Sequence, residues 1–204
     1  RTVPLAPEHL GAFLDRAVPE LKRMAELEVA PAVAGRIVNR PLRARLRLRR
    51  EGERLTARLL YAYGDIAFDP LAAGAASPDR LGRIVLRDAE KESRIMDVLE
   101  QSSFKYNGSE LYMEDEEEIY RFLYHLLPQL RPLADIETDG GLGMPRDYPF
   151  MRASAELNPK TQWLEIGFEM DGFDEAEIRD ILRALVEKRK YYRLADGAYL
   201  SLET

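Results

Sequence analysis

The stretch from Leu42 to Tyr63, LRARLRLRREGERLTARLLYAY, decides the fold of this 204-residue chain. Apolar and basic residues alternate from residue 42 to residue 49, and a period of two is typical of a strand with one buried face. Glu51 and Gly52 then supply a turn. A second alternating run returns through Leu55, Ala57, Leu59 and Tyr61. The pattern predicts an antiparallel hairpin with one apolar face and one basic face.

Helices are predicted where an apolar stripe with helical spacing follows an aspartate. Asp88, Asp115 and Asp174 each stand at such a position. For the second and third of these helices, Glu118 and Glu177 lie three residues later and complete a capping-box arrangement. We therefore expect all three helices to begin at these aspartates.

The ends of the helices are predicted from proline positions and from the extent of the apolar stripes. Pro128 and Pro132 are expected to end the second helix, because proline removes a backbone donor. The third helix is expected to bury a stripe that runs to Val186. Near the start of the chain, residues 7–25 predict two short helices or one helix bent at Pro19.

Short strands complete the predicted fold. They are expected at Ile66–Phe68, Ile84–Leu86, Phe150–Leu157, Gln162–Met170, Tyr191–Leu194 and Tyr199–Leu202, with two very short ones around Asn107–Gly108. Together with the helices they predict an α+β fold, in which antiparallel or mixed sheets pack against amphipathic helices.

Charge is unevenly distributed along the chain, although the total is only −6. Residues 1–83 carry 15 Lys+Arg and 10 Asp+Glu, so 15 − 10 = +5, whereas the remainder carries 15 and 26, so 15 − 26 = −11. The Ala/Gly/Pro-rich residues 69–80 separate the two parts. We predict two lobes: a basic lobe, residues 1–78, with the N-terminal helices and the hairpin, and an acidic α+β lobe, residues 79–204, that ends in a helix and a hairpin.

Composition excludes several classes of site. The chain contains no Cys, which excludes disulfides and thiolate metal sites within it. No run of about 18 apolar residues is present to cross a bilayer, so we expect no membrane partner and a cytoplasmic location, with association to the nucleoid as an alternative. The opening Arg1-Thr2-Val3-Pro4 lacks an apolar targeting core, and we expect this chain to be part of a longer polypeptide.

Residue patterns for catalysis are also missing. ATP hydrolysis on a phosphate loop needs a Gly-x-x-x-x-Gly-Lys-Ser/Thr run, and the chain has none. The two imidazoles, His9 and His125, do not have the spacing of metal ligands. We therefore predict no catalytic residues, no metal ligands and no cofactor in this chain.

The arginine ladder, defined as Arg43, Arg45, Arg47 and Arg49, is the first candidate site. Its four guanidiniums project from one strand face at intervals of about 6.6 to 6.8 Å, and a face of this density can follow a phosphate backbone. The ladder is therefore a candidate nucleic-acid-binding site. The alternative is that these cations meet acidic residues of the same chain or of its parent protein, because no aromatic residues are interleaved for base stacking.

The C-terminal basic cluster, defined as Lys188, Arg189, Lys190 and Arg193, is the second candidate. It flanks Tyr191 and Tyr192 where the last helix meets the last hairpin, an outline similar to a winged helix that contacts DNA. In the alternative, the cations complement the helix C-terminus and the tyrosines pack against the sheet. The single Trp163 fits a docking surface and a semi-buried packing position equally well.

The final segment, Glu187 to Glu203, closely resembles the end of the helicase-associated region that precedes the ATPase core of bacterial Swi/Snf-type helicases. Further landmarks of that region follow the same order: Tyr63-Gly64-Asp65, Asp69-Pro70-Leu71, Arg87-Asp88-Ala89-Glu90-Lys91-Glu92, and Tyr112 with its acidic helix. The resemblance extends from about residue 42 to the end.

The resemblance implies a non-catalytic accessory or regulatory region of a bacterial DNA-dependent ATPase of the chromatin-remodelling type. It implies that the partner is a C-terminal ATPase motor in the same polypeptide, and that ATP and Mg²⁺ belong to that motor, which this chain does not include. The expectation includes double-stranded DNA as an additional partner. The alternatives are an autonomous nucleic-acid-binding module that uses the arginine ladder, and a protein-docking scaffold.

Overall fold

The computed structural model describes residues 3–5, 9, 13–26, 28, 30–31, 35–72, 82–139, 142 and 151–203. Helices and strands are mixed along the chain, and the predicted α+β class is confirmed. The chain groups into two compact units, Arg1–Asp139 and Gly140–Thr204. Among the described residues, no helix is long and apolar enough to cross a membrane.

The first unit is built on the sheet that the hairpin nucleates. Its strands are β1 (Ile37–Val38), β2 (Leu42–Glu51), β3 (Arg54–Tyr63), β4 (Ile66–Phe68), β5 (Ile84–Val85), β6 (Lys105–Tyr106), β7 (Leu111–Met113) and β8 (Asp135–Thr138). The order of the main sheet is β6-β7-β3-β2-β8, with β4 paired to β3. β2 and β3 pair antiparallel from Leu42 opposite Tyr63 to Glu51 opposite Arg54, as predicted.

Burial along β2 explains why the hairpin forms. Leu42, Ala44, Leu46 and Leu48 are at most 4% exposed, whereas the arginines between them lie in solvent. Strand alternation thus gives one face to the core and one to water.

Among the described residues, the helices of this unit are α1 (Val18–Met24), which follows a π-helical turn (Phe13–Ala17), α2 (Ala89–Glu100), α3 (Glu116–Arg121) and α4 (Leu127–Leu130).

Helix caps agree with the sequence, but one predicted helix end is wrong. The carboxylates of Asp88 and Asp115 accept hydrogen bonds from the backbone N–H of residues 91 and 118. Pro128 does not end the helix: a π-helical turn (Phe122–Leu126) follows α3, and Pro128 stands in the first turn of α4. The proline is accommodated directly after the π-helical turn, where the N–H of Leu127 donates to the carbonyl of Phe122, five residues back, and Pro128 has no N–H to donate.

Two features of the first unit were not predicted. β8 pairs in parallel with β2, with Leu46 opposite Ile136. β1 pairs in parallel with β5, with Ile37 opposite Ile84. The division into lobes 1–78 and 79–204 stays a prediction; in the structure β2 and β3 share a sheet with β6, β7 and β8. Residues 73–81, where the expected boundary falls, lie outside the described residues, as do residues 140–141 and 143–150.

The described part of the second unit, residues 142 and 151–203, contains two hairpins and one helix. These are β9 (Met151–Leu157) with β10 (Leu164–Met170), α5 (Glu175–Val186), and β11 (Tyr191–Arg193) with β12 (Tyr199–Ser201), all as predicted to within a few residues. A core of Met170, Ile181, Ala184, Leu194, Ala198, Leu200 and Leu202 joins them. Val186, expected inside, is 83% exposed. It stands at the last position of α5, beyond the stripe that reaches the core.

Candidate functional site

The arginine ladder lies on the solvent face of the hairpin, where the strand period predicts it. The side chains of Arg45, Arg47 and Arg49 are 52%, 59% and 60% exposed. Arg43 lies on the same face and is also exposed. The exposed surface of β2 is therefore a row of four guanidiniums.

Acidic residues of β8 pair with this row. Because β8 runs parallel to β2 and next to it, alternate side chains of the two strands share a face. Glu137 lies 3.0 Å from Arg45 and 3.0 Å from Arg47, between carboxylate oxygen and guanidinium nitrogen. Asp139 lies 3.4 Å from Arg49. The alternative in which the ladder meets acids of its own chain thus holds for three of its four members.

The opposite side of the hairpin repeats this arrangement. Arg58 on β3 lies 3.4 Å from Glu110, at the start of β7. Arg54 donates from Nε to Glu114 over 2.9 Å, and its guanidinium lies 4.9 Å from the ring centre of Tyr112. The hydrogen bond to Glu114 raises the pKa of Arg54. The solvent face of the sheet is therefore a basic stripe between two acidic edges.

The C-terminal basic cluster lies in the second unit, at the end of α5. Lys188 has φ = 55°, and its N–H donates to the carbonyl of Leu185 over 3.0 Å, while the N–H of Arg189 donates to Ala184 over 3.0 Å. This pair of bonds is a Schellman motif, which normally uses glycine at the left-handed position. A side chain there costs about 1 kcal/mol. The cluster thus occupies a constrained helix end.

Contacts around the cluster agree with its structural alternative. The guanidinium of Arg189 lies 2.7 Å from Glu187. Tyr191 meets Tyr199 edge to face, with 5.3 Å between ring centres, and Tyr192 packs against the core of the unit. The Tyr191–Tyr199 contact lies within the last hairpin, and Tyr192 joins that hairpin to a core that includes Ile181 and Ala184 of α5. Whether the cations also contact DNA stays a prediction.

Family landmarks converge on a polar network in the first unit. The Tyr63 hydroxyl donates to Glu92 Oε1 over 2.6 Å and accepts from the backbone N–H of Asp88 over 2.7 Å. Arg87 Nε donates to the same Glu92 oxygen over 2.9 Å. Burial, followed by the hydrogen bond to Glu92, raises the pKa of Tyr63. These contacts link the start of α2 to the end of β3.

Two further bonds extend this network. Arg83 lies 2.9 Å from Asp65, which belongs to the same Tyr-Gly-Asp landmark as Tyr63. Lys91 Nζ donates to the backbone carbonyl of Leu42 over 3.1 Å. Asp65 and Lys91 belong to the sequence landmarks, but their partners Arg83 and Leu42, which stand 18 and 49 residues away, were not predicted. The Lys91 bond attaches α2 to the sheet, whereas the Arg83 bond joins the residue before β5 to the turn between β3 and β4.

No metal-binding site is formed in the part of the chain that the structure describes. No group of three or more His, Asp or Glu side chains there is placed to hold an ion. His125, one of the two imidazoles, lies on the exposed side of its helix and contacts the rings of Tyr120 and Tyr124. The candidate sites in the described part of the chain are exposed surfaces, namely the arginine ladder and the C-terminal basic cluster.

Comparison with protein families matches residues 2–204 to the family described as "Bacterial SNF2 helicase associated". Comparisons with curated proteins and with solved structures give no match. The family match covers nearly the whole chain, including the first forty residues, where the sequence landmarks are sparse. The chain belongs to the bacterial SNF2 helicase-associated family.

Proposed function

We propose that this chain is a non-catalytic accessory region of a bacterial SNF2-type DNA-dependent ATPase, and that it positions or restrains the ATPase motor of the same polypeptide. Membership of the helicase-associated family, over residues 2–204, is the observation that carries the proposal. In this function ATP and Mg²⁺ bind the motor, and the parent enzyme acts in the cytoplasm or on the nucleoid.

The charge arrangement supports a role beside the motor. Glu137, Asp139 and Glu51 already pair with three of the four ladder arginines, so this sheet face does not require an anionic ligand to be stable. Exposed ion pairs of this kind contribute less than about 1 kcal/mol each. The arginine face of the sheet can therefore exchange one acidic partner for another at a low cost in free energy.

Removal of this region tests the proposal. In the full polypeptide, deletion of residues 1–204 is expected to change the DNA-stimulated ATPase rate by at least about fivefold, the lower range of coupling between sites. A higher rate indicates restraint and a lower rate indicates positioning. Steady-state ATPase assays and DNA-binding titrations on both proteins measure the effect. Equal rates and equal DNA affinities would refute a regulatory role.

Direct nucleic-acid binding through the arginine ladder is the second candidate function. The exposure of the ladder favours it: more than half of the side-chain surface of Arg45, Arg47 and Arg49 faces solvent. A phosphate that approaches this row competes with Glu137 and Asp139 for the guanidiniums. Double-stranded DNA offers the regularly spaced phosphates that such a row fits.

Substituting the ladder distinguishes the two functions. Replacement of all four ladder arginines by alanine is expected to weaken DNA binding and to reduce the log-affinity against log-salt slope by about 0.9 for each phosphate that the row no longer neutralises. The matched variant Glu137→Gln releases Arg45 and Arg47 from their shared partner, so it is expected to strengthen binding and steepen the slope. Binding titrations at several salt concentrations supply both slopes. An unchanged slope in both variants rejects this interface.

A further inference from the structure

The β9–β10 hairpin has one wholly apolar face. In the strand register, Leu157 lies opposite Leu164. Ala155 lies opposite Ile166, and Ala153 lies opposite Phe168. The other face carries the polar residues between them. Alternation of this kind normally indicates a strand pair with one face against a core.

Only one end of this apolar face is covered. Met170 belongs to the core of the second unit, and Phe168 is half-buried. Towards the tip, however, Leu157, Leu164 and Ile166 are 65%, 63% and 55% exposed. The covered core thus continues directly into an open apolar surface. Three large aliphatic side chains left in water on one face indicate a docking surface.

Size indicates which kind of occupant this surface holds. Three side chains that are 65%, 63% and 55% exposed form a patch no larger than the largest apolar patch on many monomers, which is about 300–600 Å². A stable complex between free partners buries about 800 Å² on each side. A smaller surface suffices when a covalent link raises the effective concentration of the partner to about the millimolar range. The surface therefore fits a region of the same polypeptide better than a second copy of the chain.

Charge indicates the chemistry of the occupant. A groove of about 770 Å³ lies between β10 and α5, with an apolar floor that includes Ile166, Phe168 and Ile178. Its charged lining residues are Glu169, Asp171, Glu175 and Arg179. Arg179 lies 2.9 Å from Glu175, so the pair is neutral and the remaining charge is negative. The complementary partner carries apolar side chains flanked by Lys or Arg.

We propose that the apolar face of β9–β10, with the adjoining groove, is the surface on which the ATPase motor of the same polypeptide docks, through an apolar segment flanked by basic residues. The inference rests on the proposed accessory function, and it adds to it the contact surface and the chemistry of the partner. Trp163, at the tip of this hairpin, is exposed and lies beside the docking surface.

The test uses the full polypeptide and three matched proteins: wild type, an apolar-face variant and a polar-face control. The apolar-face variant carries Leu157→Ser, Leu164→Ser and Ile166→Ser. The control carries Glu156→Ser and Glu165→Ser, which pair with each other on the opposite face of the same strands. Hydrogen–deuterium exchange is followed in the motor and in residues 151–203. A single Leu164→Ser variant repeats the measurement with the smallest disturbance to folding.

The apolar-face variant is expected to speed exchange at one motor segment with basic and apolar residues by at least about tenfold, while the control leaves that segment unchanged. Unchanged motor exchange in both the triple and the Leu164→Ser variant would overturn the docking surface. If deletion of residues 1–204 still alters ATPase in that case, the accessory function stands without it. A wild-type dimer in sedimentation that the apolar-face variant abolishes would assign the surface to a second copy and also overturn the proposal.

Discussion

The Glu92→Ala variant is expected to lose about 2–4 kcal/mol of the free energy of unfolding. Glu92 accepts hydrogen bonds from the Tyr63 hydroxyl and from Arg87, and its side chain is only 12% exposed. Alanine leaves the Arg87 guanidinium, 27% exposed, without this partner in a site that water reaches poorly. Removal of one member of a buried pair costs more than the pair contributes, because the other charge stays desolvated.

Urea unfolding followed by far-UV circular dichroism measures this loss. Glu90→Ala is the matched control: it makes the same substitution in the same helix, but Glu90 is exposed, and its effect is expected to stay within about 0.5 kcal/mol. Glu92→Gln keeps the shape and one acceptor, so it is expected to fall between the two. Equal losses in the Glu92→Ala and Glu90→Ala variants would show that the network does not stabilise the fold.

The fold was predictable where local chemistry determines it. The Leu42–Tyr63 hairpin follows from uninterrupted alternation, and the helix starts follow from the aspartates that cap them. β8 was not predictable in this way, because Asp135-Ile136-Glu137-Thr138 contains one apolar residue and its partner strand begins more than 80 residues earlier. Long-range parallel pairing leaves little trace in a short strand.

The candidate sites show the same limit. The exposed face of the ladder is a consequence of the strand period, and it was predicted by residue number. The partners of the ladder, Glu137 and Asp139, depend on β8 and could not be identified from the sequence. The division between residues 78 and 79 was drawn from charge, and charge composition describes the surface of a segment. The two compact units, in contrast, are defined by packing between strands that are distant in sequence.

The landmark residues have a structural explanation that the family resemblance alone does not give. Tyr63, Arg87 and Glu92 are bonded to one another, and among the described residues no group of side chains is placed to hold a metal ion. Their position between β3 and α2 fixes the orientation of the helix on the sheet. The landmarks of this chain therefore maintain the scaffold, while the exposed arginines and the apolar hairpin face are the surfaces available to partners.

Two leucines of the same hairpin provide the sharpest test of its face assignment. Leu48 is 0% exposed and Leu60, on the partner strand, is 36% exposed on the arginine face. Leu48→Ala is expected to cost about 3–4 kcal/mol of unfolding free energy, because it removes buried surface and leaves a cavity in a close-packed core. Leu60→Ala is expected to cost less, about 1–2 kcal/mol, since 36% of Leu60 already contacts water and the substitution leaves no closed cavity.

The comparison is informative because the substitution, the strand pair and the side-chain volume are the same and only the face differs. Urea unfolding of both variants and of the wild type, with one slope fitted to all three, gives the two differences in free energy. A one-residue shift in register would exchange the faces of a strand and reverse the order of the two losses. Similar losses would mean that both faces of the hairpin are covered, and the arginine ladder would then lie against protein rather than at a surface open to DNA or to the motor.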